Sequence, residues 1–352
     1  MDFSKMMNID KSKIIFIRAD GGKDIGLGHI MRMLVLAKAL NKEHNVIFIC
    51  KKSRNDIRMF QDGIKKIKAN DFNVLLINEE HVAAEIIKLQ RTYNADMLIT
   101  DSYDVDKKYF EKLKPYFKLT GYMDDINKCK MNVDFIINQN FNAEYMDYSK
   151  NVNKETKLFL GSKYCLLRDE FKNIKSKTIK SKVFDIIITL GGSDPNGIMN
   201  ILYDYIKKLD FIFHIVIGPS FNMKNIKAIK KLNETQGNIN LYFNANMSEL
   251  MKKCDIAISS CGSTLYELSA CGVPTIGVII ADNQRDVAIN LDNKGIIKNL
   301  GWYSSINEKD LRKSILELDN AIYKRIEMSK KATNFIDGMG AERILKEITN
   351  LY

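Results

Sequence analysis

Short, almost wholly apolar segments alternate with segments of helical periodicity along this chain, and this alternation restricts the fold more than any other feature. The first such segment is KIIFIRAD, residues 13–20, and the next apolar runs are NVIFICK, FNVLLIN and ADMLITDSY. A strand that is apolar on both faces is typical of a parallel sheet covered by helices on each side. The alternation therefore predicts an α/β fold with doubly wound parallel sheets.

The alternation stops once and then starts again, which predicts two domains. The segment GSKYCLLRDEFKNIKSKTIKSK, residues 161–182, ends in a lysine- and serine-rich stretch without an apolar face, and FDIIITLGG then reopens the pattern. A length of 352 residues also suits two domains. We predict one Rossmann-like domain over residues 1–160, a linker over 161–183, and a second Rossmann-like domain over 184–352 that ends in helices.

The chain is basic, with a formal net charge of +11. Such a charge suits nucleic acid, an anionic surface or a phosphorylated substrate. However, the lysines are spread along the whole chain, and no basic run carries interleaved aromatic residues. We therefore expect no nucleic-acid partner.

Membrane insertion and secretion are not expected either. No apolar run approaches the roughly 18 residues that span a bilayer. The N-terminus MDFSKMMNIDKSK has no apolar core after its charges, unlike a secretory signal. The sequence predicts a cytoplasmic protein.

The six cysteines indicate neither disulfides nor a metal site. None forms a CxxC pair, and no histidine stands near them at zinc-ligand spacing. We read them as reduced, mostly buried thiols and expect neither a metal nor a cofactor.

Three glycine-rich loops stand at strand ends and lead into helices: ADGGKDIGLGHI, GGSDPNG and SSCGST. In a doubly wound domain, ligands bind beyond the carboxyl ends of the strands. Glycine lets the backbone approach a ligand closely, and a helix N-terminus attracts phosphate. The loops predict a phosphorylated ligand in a cleft between the two domains. Because no Walker A motif and no complete GxGxxG motif is present, a nucleotide-sugar fits best.

His29 lies between the first glycine loop and an apolar helix, where its ring is open to a ligand. Imidazole changes charge near neutral pH, so it can take a proton as a general base. The alternatives are that His29 caps the helix or binds phosphate. Arg18 and Asp20, at the end of the preceding strand, either orient His29 or pin the loop.

Six blocks of sequence together resemble a known family. They are RADGGKDIGLGHIMRMLVLAKAL, TDSYDVD, MDDI, YCLLRDEF, LGGSDPNG and SSCGSTLYELSACGVPTIGVIIADNQ. The family is PseG, the UDP-2,4-diacetamido-2,4,6-trideoxy-β-L-altropyranose hydrolases of pseudaminic acid biosynthesis. It is related to the MurG-like glycosyltransferase-B group. The resemblance implies a glycosyltransferase-B-like fold and metal-free hydrolysis of a UDP-sugar with inversion. Its products would feed nonulosonic acid synthesis and flagellin or surface glycan modification.

The resemblance also implies roles for single residues. The implied catalytic residues are His29 as general base, Tyr103 and Asn283. For Tyr103, aromatic packing is the alternative. Glu267 would accept hydrogen bonds from the ribose, or else it complements the dipole of its helix. The implied substrate-binding residues are Arg18, Asp20, Gly26, Gly28, Arg32, Gly191, Gly192, Ser193, Gly262, Ser263, Thr264, Glu267 and Gln284. For Asp101 the same two roles stay open as for Arg18 and Asp20, and no role is assigned to Asp124, Asp125 or Arg168.

A MurG-like glycosyltransferase is the alternative function. It would use the same kind of UDP-sugar donor but would need a lipid or glycan acceptor, and with it an exposed apolar patch on the first domain. The sequence shows no obvious apolar loop of that kind. The expected partners are the UDP-sugar and the UDP product, and the sequence does not give the oligomeric state.

Overall fold

The computed structural model describes residues 13–352 except for 23–24, 54–55, 57, 173, 175–176, 195, 219 and 235–236. Residues 1–12 of the N-terminal segment MDFSKMMNIDKSK lie outside the described residues. So does Pro195 of the GGSDPNG loop. The chain forms two compact units: unit 1 comprises residues 1–168 and 339–352, and unit 2 comprises residues 169–338.

Unit 1 is built on a sheet of seven strands that all run parallel. Along the chain the strands are β1 (Ile14–Ala19), β2 (Asn45–Lys52), β3 (Asn73–Asn78), β4 (Met97–Asp101), β5 (Leu119–Met123), β6 (Phe135–Asn138) and β7 (Lys157–Leu160). Their order across the sheet is β3-β2-β1-β4-β5-β6-β7. The α-helices among the described residues of this unit are α1 (Gly28–Leu40), α2 (Gln61–Lys68), α3 (Val82–Tyr93), α4 (Lys107–Leu113) and α12 (Gly340–Thr349).

Unit 2 has a second parallel sheet, of six strands in the order β10-β9-β8-β11-β12-β13. These strands are β8 (Asp185–Thr189), β9 (Ile212–Val216), β10 (Ile239–Tyr242), β11 (Ile256–Ser260), β12 (Thr275–Ile279) and β13 (Ile297–Trp302). The helices are α5 (Ile198–Ile206), α6 (Met223–Asn233), α7 (Met247–Lys253), α8 (Thr264–Ala270), α9 (Arg285–Asn293), α10 (Glu308–Asn320) and α11 (Ile322–Phe335).

The apolar strands occupy the positions that their sequence predicts. On β1, Ile15 and Ile17 pack in one core with helix α1, whereas Phe16 packs in a second core with α3 and α4. Successive side chains of a strand point to opposite faces, so a strand covered on both faces needs apolar residues at every position. The predicted α/β class with two Rossmann-like sheets is confirmed.

The division between the units differs from the predicted one. It falls after Arg168, and residues 339–352 join unit 1 although the sequence placed them in the second domain. The reason is the apolar face of α12, because Ile344 and Ile348 are buried in the core that surrounds α1. The predicted linker, residues 161–183, is split between the two units.

Two strands, β7 and β13, were not predicted. Both lie at an edge of their sheet. Their sequences KLFL and IKNLGW mix apolar and polar residues, and their side chains are more exposed than those of the central strands. An edge strand is covered less completely, so it can lack the apolar run that reveals a central strand, as β7 and β13 do, whereas the edge strand β3 keeps such a run.

Candidate functional site

The order of the first sheet brings the key side chains of unit 1 together. The chain leaves β1 towards one side of the sheet and returns at β4 on the other, so β1 and β4 are neighbours at the point where the strand order reverses. Ligands of doubly wound sheets bind beyond the carboxyl ends of the strands at this point. His29 follows β1, Asp101 ends β4, and Asp125 lies just after β5.

His29 and Asp101 form a buried pair. The Nδ1 atom of His29 lies 2.6 Å from Oδ1 of Asp101. The His29 side chain is 10% exposed and the Asp101 side chain is fully buried. An ionised carboxylate only accepts hydrogen bonds, so this contact places the proton of a neutral imidazole on Nδ1. Nε2 then carries the lone pair, and it has no hydrogen-bond partner among the described residues.

Arg32, one turn along α1, keeps Asp101 ionised. Its Nε donates to Oδ2 of Asp101 over 2.7 Å, and its Nη2 donates to Oδ1 over 2.6 Å. Burial alone would raise the pKa of Asp101, but the charge and hydrogen bonds of Arg32, joined by those of His29, lower this pKa to about 2. The carboxylate is therefore charged at any working pH.

Asp125 holds the other side of the same guanidinium. Nη1 and Nη2 of Arg32 donate to its two oxygens, each over 2.9 Å. Burial would lower the pKa of Arg32, but Asp101 and Asp125 together raise it well above its usual value. Four of the five N–H groups of Arg32 thus bind carboxylates of this unit, a use that differs from the substrate contact implied by the sequence.

Tyr103 joins the cluster from the loop after β4. Its hydroxyl donates to Oδ2 of Asp125 over 2.6 Å, and its ring meets the His29 ring edge to face, with 4.7 Å between centroids. Burial and the negative charge of Asp125 raise the pKa of Tyr103, so the phenol keeps its proton. The side chain is still 41% exposed, which leaves part of the ring open to a ligand.

Arg18 and Asp20 form a separate buried pair, with 2.8 Å between Nη2 and Oδ2. Asp20 also accepts the backbone N–H of Lys51, at the end of β2, over 2.8 Å. Among the hydrogen bonds and ion pairs of the described residues, none joins Arg18 or Asp20 to His29. Of the two roles considered from the sequence, this arrangement favours pinning of the loop.

The glycines of the first loop shape the entry to α1. Gly26 has φ +71°, a value that suits glycine, and it exchanges two backbone hydrogen bonds with Gly22. A Cβ atom at Gly26 or at Gly28 would meet no atom of the described residues within 4 Å. Both positions therefore present open backbone beside His29.

In unit 2, Asp194 holds the loop after β8 in place, although the sequence did not single this residue out. Asp194 is buried, and its two carboxylate oxygens accept the backbone N–H groups of Ile198 and Met199 over 2.8 and 2.9 Å. These N–H groups belong to the first turn of α5. Because Asp194 already satisfies them, the N-terminus of α5 is not available to a phosphate.

The loop after β11 leads into α8 without such a cap. Ser263, the N-cap residue, makes no side-chain capping hydrogen bond. Oγ1 of Thr264 would lie 3.8 Å from a Cβ at Gly191, so the two glycine loops of this unit are adjacent. Gly191 has φ +84° and Gly192 borders open space. The structure therefore brings Gly191, Gly192 and Thr264 into one region.

The remaining predicted residues of unit 2 differ in exposure. Gln284 lies near Gly262, and its Oε1 accepts the backbone N–H of Ile280 over 3.1 Å. Ser193 and Asn283 are exposed, and Glu267 is half-buried on α8. Gln284 is thus used partly to hold the β12 end in place, while Asn283 is free to meet a ligand.

Two further properties concern the described part of the chain as a whole. Among its residues, no group of three histidine, cysteine, aspartate or glutamate side chains is arranged to hold a metal ion. Its helices are all too short or too polar to cross a membrane.

The sequence assigned no role to Asp125, did not single out Asp194, and left the role of Asp101 open. Asp101 and Asp125 each follow an apolar strand, which is the available signal, but strand-end aspartates are common. Their pairing through Arg32 depends on β4 and β5 lying beside β1, and this order is a property of the folded sheet.

Comparison with known proteins supports the family resemblance. Residues 185–347 match the family model "Glycosyltransferase family 28 C-terminal domain". An uncharacterized protein of Methanocaldococcus jannaschii is 30% identical over 77% of this chain, and the match spans 57% of that protein's length. The UDP-2,4-diacetamido-2,4,6-trideoxy-β-L-altropyranose hydrolase of Campylobacter jejuni is 28% identical over 80% of this chain and 97% of its own. The chain is thus similar to a named hydrolase of the family that its sequence blocks resemble.

Solved structures show the same fold at low sequence identity. MurG of Acinetobacter baumannii is 14% identical, with a TM-score of 0.67, and the match covers 96% of this chain and 100% of that one. S. aureus MnaA in complex with UDP is also 14% identical, with a TM-score of 0.61, and the match covers 97% and 98% of the two chains. These matches confirm the glycosyltransferase-B-like fold expected from the sequence.

Proposed function

We propose that this protein hydrolyses UDP-2,4-diacetamido-2,4,6-trideoxy-β-L-altropyranose to UDP and the free sugar. The observation that carries the proposal is the buried His29–Asp101 pair, which leaves Nε2 of His29 unpartnered among the described residues. The relationship to the Campylobacter jejuni hydrolase supplies the substrate.

In the proposed reaction, Nε2 of His29 takes a proton from a water molecule as the water attacks the anomeric carbon. The bond from that carbon to the UDP oxygen breaks, and the configuration inverts. Asp101 holds the imidazole in the required tautomer and stabilises the imidazolium that forms. Tyr103 limits the rotation of the imidazole by packing against its ring.

Unit 2 is proposed to bind the nucleotide. The N-terminus of α8, where Ser263 makes no side-chain capping hydrogen bond, is suited to the departing diphosphate. The helix dipole and the hydroxyls of Ser263 and Thr264 would stabilise its negative charge. Gly191 and Gly192 would let the backbone approach the nucleotide closely. Glu267 would accept hydrogen bonds from the ribose hydroxyls. Asn283 would contact the sugar. On this account, UDP leaves without the help of a metal.

The sugar product suits a place in nonulosonic acid synthesis, with pseudaminic acid as the proposed pathway and the cytoplasm as the proposed location. A second candidate function is transfer of the sugar to a lipid or glycan, as the match to the glycosyltransferase domain over residues 185–347 suggests. The two functions differ in whether an acceptor other than water is required.

The test is UDP release from the diacetamido-trideoxy-altrose nucleotide in buffer with EDTA. We expect the native protein to release equal amounts of UDP and free sugar, and His29→Ala to be at least ~10²-fold slower, as expected for loss of a general base. UDP release that requires an added glycan or lipid would instead establish the transferase.

A further inference from the structure

The positive charge of Arg32 lies against the base that the proposed reaction needs. Nη2 of Arg32 is 3.2 Å from Nδ1 of His29. When Nδ1 carries a proton, both atoms are donors, so the contact is not a hydrogen bond. A guanidinium at this distance opposes the second proton that His29 must accept, because like charges repel strongly in a buried site.

Asp125 offsets this charge. It binds Nη1 and Nη2 of Arg32 in the two-pronged geometry of strong arginine–carboxylate pairs, and its side chain is only 10% exposed. With Asp101 and Asp125 ionised and Arg32 charged, the cluster carries one net negative charge around a neutral His29. Protonation of His29 then brings the cluster to zero. Without Asp125, the same step would leave the cluster with a net positive charge.

We infer that Asp125 is a positioning residue that makes His29 an effective base, because it neutralises Arg32 while Arg32 holds Asp101. The kinetic part of this inference rests on the proposed function, whereas the electrostatic part concerns the protein alone. Asp125 itself is not suited to proton transfer. Both of its oxygens already accept hydrogen bonds, from Arg32, Tyr103 and Asn140.

The other groups around His29 do not replace the negative charge of Asp125. Tyr103 is neutral, since its hydroxyl donates to Asp125. Lys128 donates to the backbone carbonyl of Tyr103 over 2.8 Å and adds positive charge to the same region. Asp101 is shared between His29 and Arg32. Asp125 is therefore the second carboxylate of the cluster, and it determines the sign of the cluster's net charge once His29 is protonated.

The experiment follows the protonation of His29 by NMR in the full chain labelled with ¹⁵N-histidine, without substrate. The four histidines are resolved by the loss of one signal in His29→Gln. We expect Asp125→Asn to shift the His29 titration to lower pH by roughly one unit, as is usual for removal of a nearby opposite charge. Asp134→Asn, which alters a carboxylate paired with Lys114 on another part of the sheet, is expected to leave it unchanged.

Arg32→Gln is a second variant, for which the expected shift of the His29 titration has the opposite direction. It removes the positive charge, so the His29 titration is expected to move to higher pH. Tyr103→Phe keeps all charges and is expected to leave the titration close to that of the native protein. Shifts in the same direction for Asp125→Asn and Arg32→Gln, or no shift for either, would overturn the inference.

Enzyme kinetics then separate the inference from the proposed function. For an active enzyme, the acid limb of kcat/KM is expected to move with the NMR titration in both charge variants. If the titrations shift as expected but the native protein releases no UDP from the UDP-sugar, the proposed function fails and the electrostatic role of Asp125 stands. If the native protein is active and the acid limb does not move in either variant, the inference fails and the function stands.

Discussion

At the scale of single residues, Asp101 controls which nitrogen of His29 carries a proton. In Asp101→Asn, the amide can turn its NH₂ group towards Nδ1, which stabilises the tautomer with the proton on Nε2 and removes the base. We expect kcat to fall by ~10³–10⁴-fold with little change in KM. Steady-state UDP release checks this, and Asp134→Asn, which lies outside the cluster, should keep the native rate. A loss below tenfold in Asp101→Asn would contradict the role.

Asp101 also makes the free energy of unfolding depend on pH. The pKa of Asp101 is about 2 in the folded protein and close to 3.9 in an unfolded chain. A lowered folded pKa stabilises the protein above the unfolded value and loses this effect as pH falls through the folded one. This linkage amounts to about 2 kcal/mol for the buried carboxylate. Urea unfolding should therefore show a stability difference between native protein and Asp101→Asn that shrinks as the pH falls from 4 towards 2.

The sequence predicts His29 more readily than its partners. His29 stands next to glycines at a strand end, which is a local pattern. Asp125 lies 93 residues from Arg32 along the chain, and only the order of β1, β4 and β5 brings the two together. Pairings of this kind depend on tertiary structure, so a single sequence does not reveal them.

At the scale of elements, the two glycines after β8 have different tasks. Gly191 has φ +84°, which strains any residue with a side chain, whereas Gly192 has ordinary backbone and open space around it. We expect Gly191→Ala to lower the free energy of unfolding by about 1–2 kcal/mol and Gly192→Ala to leave it nearly unchanged. Urea unfolding measures this. UDP titration by calorimetry should show weaker binding for Gly192→Ala if the backbone there approaches the nucleotide.

The central strands of each sheet were predicted from the sequence, whereas the edge strands were predicted only in part, since the apolar run of β3 was found. The central strands β1, β4, β8 and β11 are buried throughout apart from the first residue of β1, and the apolar runs predicted them. The edge strands β7 and β13 carry polar residues and were missed. A strand with one open side has no need of a continuous apolar run, so its sequence resembles that of a loop.

At the scale of the whole molecule, helix α12 returns to the unit that contains strands β1 to β7. Helix α12 buries Ala341, Ile344 and Ile348 in the core of unit 1, and each buried isoleucine side chain contributes roughly 1.5–3 kcal/mol. Removal of residues 340–352 should therefore destabilise unit 1 selectively. Hydrogen exchange is expected to rise in α1 and β1 and to stay unchanged in β8 and β11. Equal loss of protection in both sheets would contradict the assignment of α12.

The sequence did not predict this return, because a helix's amphipathic pattern shows that it packs but not against which sheet. The number of domains and their class were predictable, since they follow from the repeated strand pattern.

The central claim is that His29 activates water to attack the anomeric carbon. The most direct test is to run the reaction in H₂¹⁸O and to analyse the products at early times, before the free sugar mutarotates. The account predicts ¹⁸O at the anomeric carbon of the sugar, inverted configuration and unlabelled UDP. Label on the β-phosphate of UDP, or retained configuration at the anomeric carbon, would contradict it.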